Sequence, residues 1–397
     1  MNKPTKRLHF LDAIRAFAIL MMLQGHFVHS LLGNIYRDKT NIVYSIWEYF
    51  RGMTAPTFFT ITGFVFTFLI LKQKSKGKNN PRVIKGVKRA IKLIFWGYLL
   101  RLSAFSIFEG TVNSSFFYVD VLQCIGISLL MLIGLYLMSY RYNIKLFQYL
   151  LLVLGVLIFL LQPLYDVLLL EFLPETFANY FTNKYGSIFT LFPWFGYVCF
   201  GGFLAVIFIR YGKQVRFYPF IISVMTFIGF LLIFYSSKGL MLLYDLSGVM
   251  VFKSVAYNNF LFIRLGNVTI IFTIFLILRN YLNAPIIAKI GGRTLSIYII
   301  HFFVLYGSWF GLGLSRFFYR SLEPLEIIIG AAFFIVGVCA LVLSYYKYEV
   351  EFKSKIDQSK LLIYNKLNSE LPKNIISVSF IKSRLRRGYN ALKYNRR

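Results

Sequence analysis

The stretch Leu11-Asp12-Ala13-Ile14-Arg15-Ala16-Phe17-Ala18-Ile19-Leu20-Met21-Met22-Leu23-Gln24-Gly25-His26-Phe27-Val28-His29 decides the fold class. It is an apolar run with ionisable groups at two heights only, Asp12 and Arg15 near its start and His26 and His29 near its end. A hydrocarbon layer takes roughly 20 mostly apolar residues as a spanning helix, and the run from 10 to 33 meets that length. No small-residue cleavage site follows it, so it reads as a retained helix rather than a signal peptide. Ionisable groups in such a helix are costly unless they face a cavity or a partner.

The same pattern recurs outward from this run. Apolar segments at 10–33, 50–71, 93–109, 119–140, 146–166, 187–209, 217–236, 262–278, 294–313 and 325–346 each suit a spanning helix. With 58% of its 397 residues hydrophobic and 19% aromatic, the chain has too little polar surface for a soluble domain. The expectation is an all-α polytopic membrane protein, about ten transmembrane helices in one bundle, multi-pass in the cell inner (plasma) membrane. A transmembrane domain over 1–346 is followed by a basic tail over 347–397.

Charge sets the orientation. Residues 72–92 hold Lys72, Lys74, Lys76, Lys78, Arg82, Lys85, Lys88, Arg89 and Lys92 and no acid, which marks a cytoplasmic segment. Even-numbered spans then end inside, beside Arg141, Lys145, Arg210, Lys213, Arg216, Arg279, Lys289 and Arg293, and both termini are cytoplasmic. Asp38, Glu48, Glu109, Asp120, Asp166, Glu171, Glu175, Asp245, Glu323 and Glu326 fall in or near external segments. The net charge of +29 is gathered between apolar spans. It therefore implies contact with anionic membrane lipids rather than nucleic acid. In the tail, Phe380-Ile381-Lys382-Ser383-Arg384-Leu385-Arg386-Arg387 suits a helix lying in the lipid interface or a disordered basic segment. Cys124, Cys199 and Cys339 lack metal-ligand spacing and read as small packing residues; no metal is expected.

Helical geometry joins the polar groups of the first span. Eleven residues at about 100° each return His26 to within about 20° of Arg15, about 16 Å further along the axis. A ligand with an anionic head and a long thin arm suits a cation at one end and an imidazole three turns deeper. Coenzyme A is such a ligand, with phosphates for Arg15 and the basic segment and a pantetheine arm that reaches towards His26. Arginine donates a planar bidentate fork to phosphate. Neutral histidine accepts a proton from a hydroxyl or amine, or attacks the thioester itself. Against this stand plainer roles: Arg15 as a snorkelling anchor, His26 and His301 as helix–helix hydrogen-bond partners, and His29 as a structural or hydrated group near the outer interface. Residue types and spacing serve an enzyme and a transporter or flippase for a lipid-linked sugar or small anion equally.

The stretch from Leu11-Asp12 to His26 resembles the first helix of the acyltransferase-3 membrane acyltransferases, in which an Arg and a His separated by ten residues form the characteristic pair. Pro56-Thr57-Phe58-Phe59-Thr60-Ile61-Thr62-Gly63-Phe64 resembles that family's Ser-Gly-Phe segment with Thr62 for Ser. Arg89-Ala90-Ile91-Lys92 is similar to its Arg-x-x-Arg, with Lys92 presenting a point charge in place of a fork. Val121-Leu122-Gln123-Cys124-Ile125-Gly126, Phe192-Pro193-Trp194-Phe195-Gly196 and Leu295-Ser296-Ile297-Tyr298-Ile299-Ile300-His301 resemble the related bacterial proteins similar to heparan-alpha-glucosaminide N-acetyltransferase. Cys124 stands where related sequences often carry a basic residue. The likeness runs from residue 7 to about 345.

That resemblance implies an acetyl-CoA or other acyl-CoA donor reached from the cytoplasm, and a sugar hydroxyl or amine acceptor, on a glycan or lipid-linked sugar, at the outer side. His26 carries over as the catalytic histidine, and Arg15, Arg89, Lys92 and Thr62 as donor-binding residues. His301, about 10 Å above the cytoplasmic start of its span, is expected to line the donor channel. Trp194, Gln123 and His29 are the candidates for the acceptor side, with membrane-interface anchoring the plainer role of Trp194 and close helix packing that of Thr62-Gly63.

Overall fold

The structure, a computed structural model, describes residues 8–111, 113–167 and 169–370; the tail segment Phe380–Arg387 lies outside the described residues. Regular structure among them is helical, apart from isolated bridges between Leu32 and Leu322 and between Ser103 and Trp309. The main helices are α1 (His9–Leu31), α2 (Ile42–Arg51), α3 (Thr54–Leu71), α4 (Pro81–Arg101), α5 (Val121–Ser139), α6 (Ile144–Leu160), α7 (Leu191–Tyr211), α8 (Phe217–Ser247), α9 (Met250–Tyr257), α10 (Phe260–Ile277), α11 (Pro285–Gly292), α12 (Thr294–Tyr306) and α13 (Pro324–Glu370).

The protein is an all-α, multi-pass membrane protein. Among the described residues, seven helical segments are long and apolar enough to cross a bilayer, and the α11–α12 pair, bent by 69°, makes up to eight. Two of the ten expected spans fall short of that standard for visible reasons. Helix α6 has only 17 residues, and α4 carries the charges of the basic segment in its first turns. Helix α8 has just 22% of its most apolar window buried against protein, and Phe220, Phe227, Phe230 and Phe234 point outward. Such a surface is tolerable against lipid, where the helix satisfies its own backbone polar groups.

Local chemistry sets several boundaries. The third expected span, 93–109, is instead the end of a helix that starts inside the basic segment at Pro81. Asn80 caps it by accepting from the Arg82 N–H at 2.9 Å, and Pro81 occupies the first turn. The Asn80 amide also donates to the Ile70 carbonyl at 2.8 Å, tying α3 to α4. Helix α4 stops at Arg101 because the next backbone groups bond elsewhere, with the Ala104 N–H donating to the Trp309 carbonyl at 2.9 Å. The ninth expected span ends at Tyr306 rather than 313, since Gly307 adopts φ +67 and caps the helix in the left-handed region.

The chain divides into one unit reaching Val338 and another from Cys339; the described part of the second is helical to Glu370. In the first, α3 lies on α7 with backbones in contact. A Cβ on Gly63 would stand 2.1 Å from the Val198 carbonyl oxygen, and one on Gly201 1.9 Å from that of Thr60. Phe10, Ile14, Phe64, Phe208, Phe217 and Phe272 make a core shared by α1, α3, α7, α8 and α10. This packing fixes α1 from one side and leaves another side of it to α11 and α12.

Candidate active site

Helix α1 carries its polar groups towards the broken pair α11–α12. Near its start, Arg15 lies 3.9 Å from Asp12 and donates to the Thr294 hydroxyl at 3.5 Å, at the first residue of α12. The break is held close to α1 by Gly291, where a Cβ would stand 2.1 Å from the Asp12 carbonyl oxygen. At about 1.5 Å per residue the two ends of α12 lie roughly 18 Å apart, and its far end meets His26. The His26 Nδ1 lies 2.7 Å from the Tyr306 hydroxyl. Ser30 donates to the same phenol oxygen at 3.3 Å. The expected stripe from Arg15 to His26 thus faces a single partner helix.

Between these ends sits His301, fully buried, with its ring centroid 5.3 Å from that of His26 and 4.9 Å from that of Tyr298. Neither of its ring nitrogens has a hydrogen-bond partner among the described residues. A buried imidazole left in that state is costly, which marks the place for a polar group of a ligand or a water. His26, by contrast, keeps partial exposure.

The remaining expected residues are spread more widely. Arg89 and Lys92 are exposed on α4, one helical turn apart, and α4 packs chiefly on α5. Thr62 donates back to the Phe58 carbonyl within its own helix at 2.8 Å, beside the close contact at Gly63. Gln123 accepts from the Asp120 N–H at 3.2 Å as half of a capping box that starts α5, while its buried Nε2 has no partner among the described residues. Trp194 joins an aromatic group, its ring centroid 5.1 Å from Phe59 and 4.8 Å from Phe189. His29 is exposed, and Arg37 donates to its backbone carbonyl.

Three contributors were missed by reading the sequence. Tyr306 is 280 positions from His26 and has no local signature of that partnership. Arg101 pairs with Asp120 at 3.2 Å; the Asp-x-x-Gln capping pattern at 120–123 could have placed this carboxylate at a helix start, but not opposite an arginine. An open cavity of about 430 Å³ lies at this end, lined by Arg101, Phe302, Tyr306, Ser308, Trp309 and Arg316 among others. Tyr306 therefore both touches the histidine and lines the cavity.

Residues 7–239 match the family described as heparan-alpha-glucosaminide N-acetyltransferase, catalytic. No curated protein matches the chain. The matched residues include Arg15, His26, Thr62, Arg89, Lys92, Gln123 and Trp194, whereas His301 and Tyr306 lie beyond them.

Proposed function

The chain belongs to the heparan-alpha-glucosaminide N-acetyltransferase catalytic family, and from that premise we propose an integral-membrane enzyme that moves an acetyl or other acyl group from cytoplasmic acyl-CoA to a hydroxyl or amine of an extracytoplasmic glycan or lipid-linked sugar. It resides in the plasma membrane with residues 1–346 as the catalytic domain and 347–397 as a cytoplasmic tail. The observation that carries this reading is His26, mostly buried but still accessible, bonded through Nδ1 to a tyrosine that borders a cavity.

In this mechanism Tyr306 accepts the Nδ1 proton bond. The same oxygen accepts from the Ser30 hydroxyl, and the mechanism places the proton of the 2.7 Å contact on the imidazole. Nδ1 then carries the proton and Nε2 keeps the lone pair. Nε2 removes a proton from the acceptor hydroxyl or amine as that group attacks the thioester carbonyl. The new ester or amide bond forms, the carbon–sulfur bond breaks, and the proton passes from His26 to the departing thiolate. General-base help of this kind is worth about 10²–10⁴-fold, and holding both substrates together adds a larger entropic share. Arg15, with Arg89 and Lys92, supplies positive charge for the donor's phosphates, and the unpartnered nitrogens of His301 offer a hydrogen bond along the donor's path.

One observation favours a second reading. The 69° break between α11 and α12 beside Arg15 is the kind of discontinuous helix that transporters place at a substrate site. Purified protein in liposomes separates the two. Transfer of radiolabelled acetyl from acetyl-CoA to a sugar, lost in His26→Ala, supports the acyltransferase. Sugar or anion flux without acyl transfer supports the transporter and refutes our reading.

A further inference from the structure

The cavity beside Tyr306 has a chemistry of its own. Its volume of about 430 Å³ suits one or two sugar rings rather than a large ligand. Two of its lining residues, Trp309 and Phe302, offer flat apolar faces, and three others bring polar groups that are incompletely used. The Ser308 hydroxyl and the Arg101 Nε are buried without a hydrogen-bond partner among the described residues. Arg101 spends its other nitrogens on Asp120 and on the Ser115 carbonyl, so its charge is largely answered. Arg316 is different. It is exposed, and its guanidinium makes no hydrogen bond or ion pair among the described residues. Among the described residues, the cavity therefore holds one uncompensated cation, Arg316.

The surroundings extend this asymmetry. Arg51 packs against Gly25, Arg37 bonds the His29 carbonyl, and Arg320 bonds Asn34, all at the His26 end of α1. In the proposed orientation that end is outside, where short connecting segments are usually poor in Arg and Lys. Topology does not ask for these arginines, and they add positive charge at this end of the molecule. The wall is also held in an unfavourable backbone state. Trp309 sits at φ +66, a region that bulky side chains avoid and that clusters at functional sites. Its indole N–H donates to the Leu99 carbonyl at 2.7 Å, and its carbonyl accepts from Ala104. These bonds lock the loop across the end of α4.

We propose that this cavity is the acceptor site and that it selects a sugar bearing an anionic group, phosphate or carboxylate, which Arg316 engages while a hydroxyl or amine of the same sugar faces Tyr306 and His26. The assignment as acceptor rests on the acyltransferase reading; the preference for an anionic sugar does not.

The test is calorimetric titration of the full chain in phosphatidylcholine nanodiscs with glucose, glucose 6-phosphate and glucuronate, without donor. One or both of the anionic sugars binds at least about tenfold tighter than glucose, as a charge-assisted contact implies, and the two arms tell phosphate from carboxylate. Arg316→Glu removes that preference and Arg316→Lys retains most of it. Equal affinity for all three sugars, a preference untouched by Arg316→Glu, or inorganic phosphate binding as tightly as glucose 6-phosphate would overturn the proposal. So would a loss of acetyl-CoA affinity in Arg316→Glu, which would make the cavity a donor site. Acyl transfer is measured on the same samples. Charge-selective binding without any transfer refutes the acyltransferase and leaves the anionic-sugar site standing. Transfer indifferent to acceptor charge does the reverse.

Discussion

At the scale of single residues, the site depends on which nitrogen of His26 is free. Its Nδ1 lies 2.7 Å from the Tyr306 hydroxyl, so the group facing that nitrogen comes from outside the first helix, and the proposed mechanism requires the hydroxyl to accept there rather than donate. His26→Ala is expected to lower acyl transfer by about 10²-fold or more with unchanged membrane insertion, read by transfer assays and by protein level in isolated membranes. Tyr306→Phe keeps the ring and deletes the hydrogen bond. It is expected to cut kcat by about tenfold, the worth of roughly 1.4 kcal/mol, with little change in KM for acetyl-CoA; a purely structural role for Tyr306 would instead lower protein stability and spare kcat in the folded fraction. Arg15→Ala should weaken acetyl-CoA binding while leaving acceptor binding alone, and titration of each ligand separately checks this. The stripe joining Arg15 to His26 could be read in the sequence because helical periodicity is a local property. The pairing of His26 with Tyr306 could not, because it links positions far apart in the chain.

At the scale of elements, the informative feature is the broken pair α11–α12. The kink allows α11 to lie on α1 with Gly291 against the Asp12 carbonyl, and it presents Thr294 to Arg15 and Tyr306 to His26. Gly291→Val would force a Cβ into backbone 2.1 Å away. Overpacking of this kind costs about 1–3 kcal/mol, so thermal unfolding in detergent should shift down and donor binding should weaken with it. The neighbouring Gly292→Ala meets nothing within 4 Å and should leave both unchanged. Equal effects in the two variants would refute a tight α1–α11 contact. Apolar period and length made nearly every helix recognisable, yet ends went astray wherever a tertiary hydrogen bond or a left-handed glycine stopped the run, as at Arg101 and Tyr306.

At the scale of the whole molecule, the distribution of charge predicts sidedness. A cysteine placed at Lys78 should react with a membrane-impermeant maleimide only after cells are opened, and one at Phe172 in intact cells, since three helices separate them. The native cysteines are buried and leave a low background. Labelling in the opposite order would invert the proposed topology and detach the acceptor from the outer side. Membrane class, helical content and the candidacy of Arg15 and His26 followed from sequence alone, because hydrophobicity and helical pitch act over a few turns and need no knowledge of neighbours. Tertiary structure alone decided that α12 supplies the partner of the histidine, that His301 is buried beside it with both nitrogens unmatched among the described residues, and that Arg316 and Trp309 border a cavity there. Those facts arise from contacts between helices distant in the chain, and such contacts are set by how the surfaces fit rather than by any local pattern of residues.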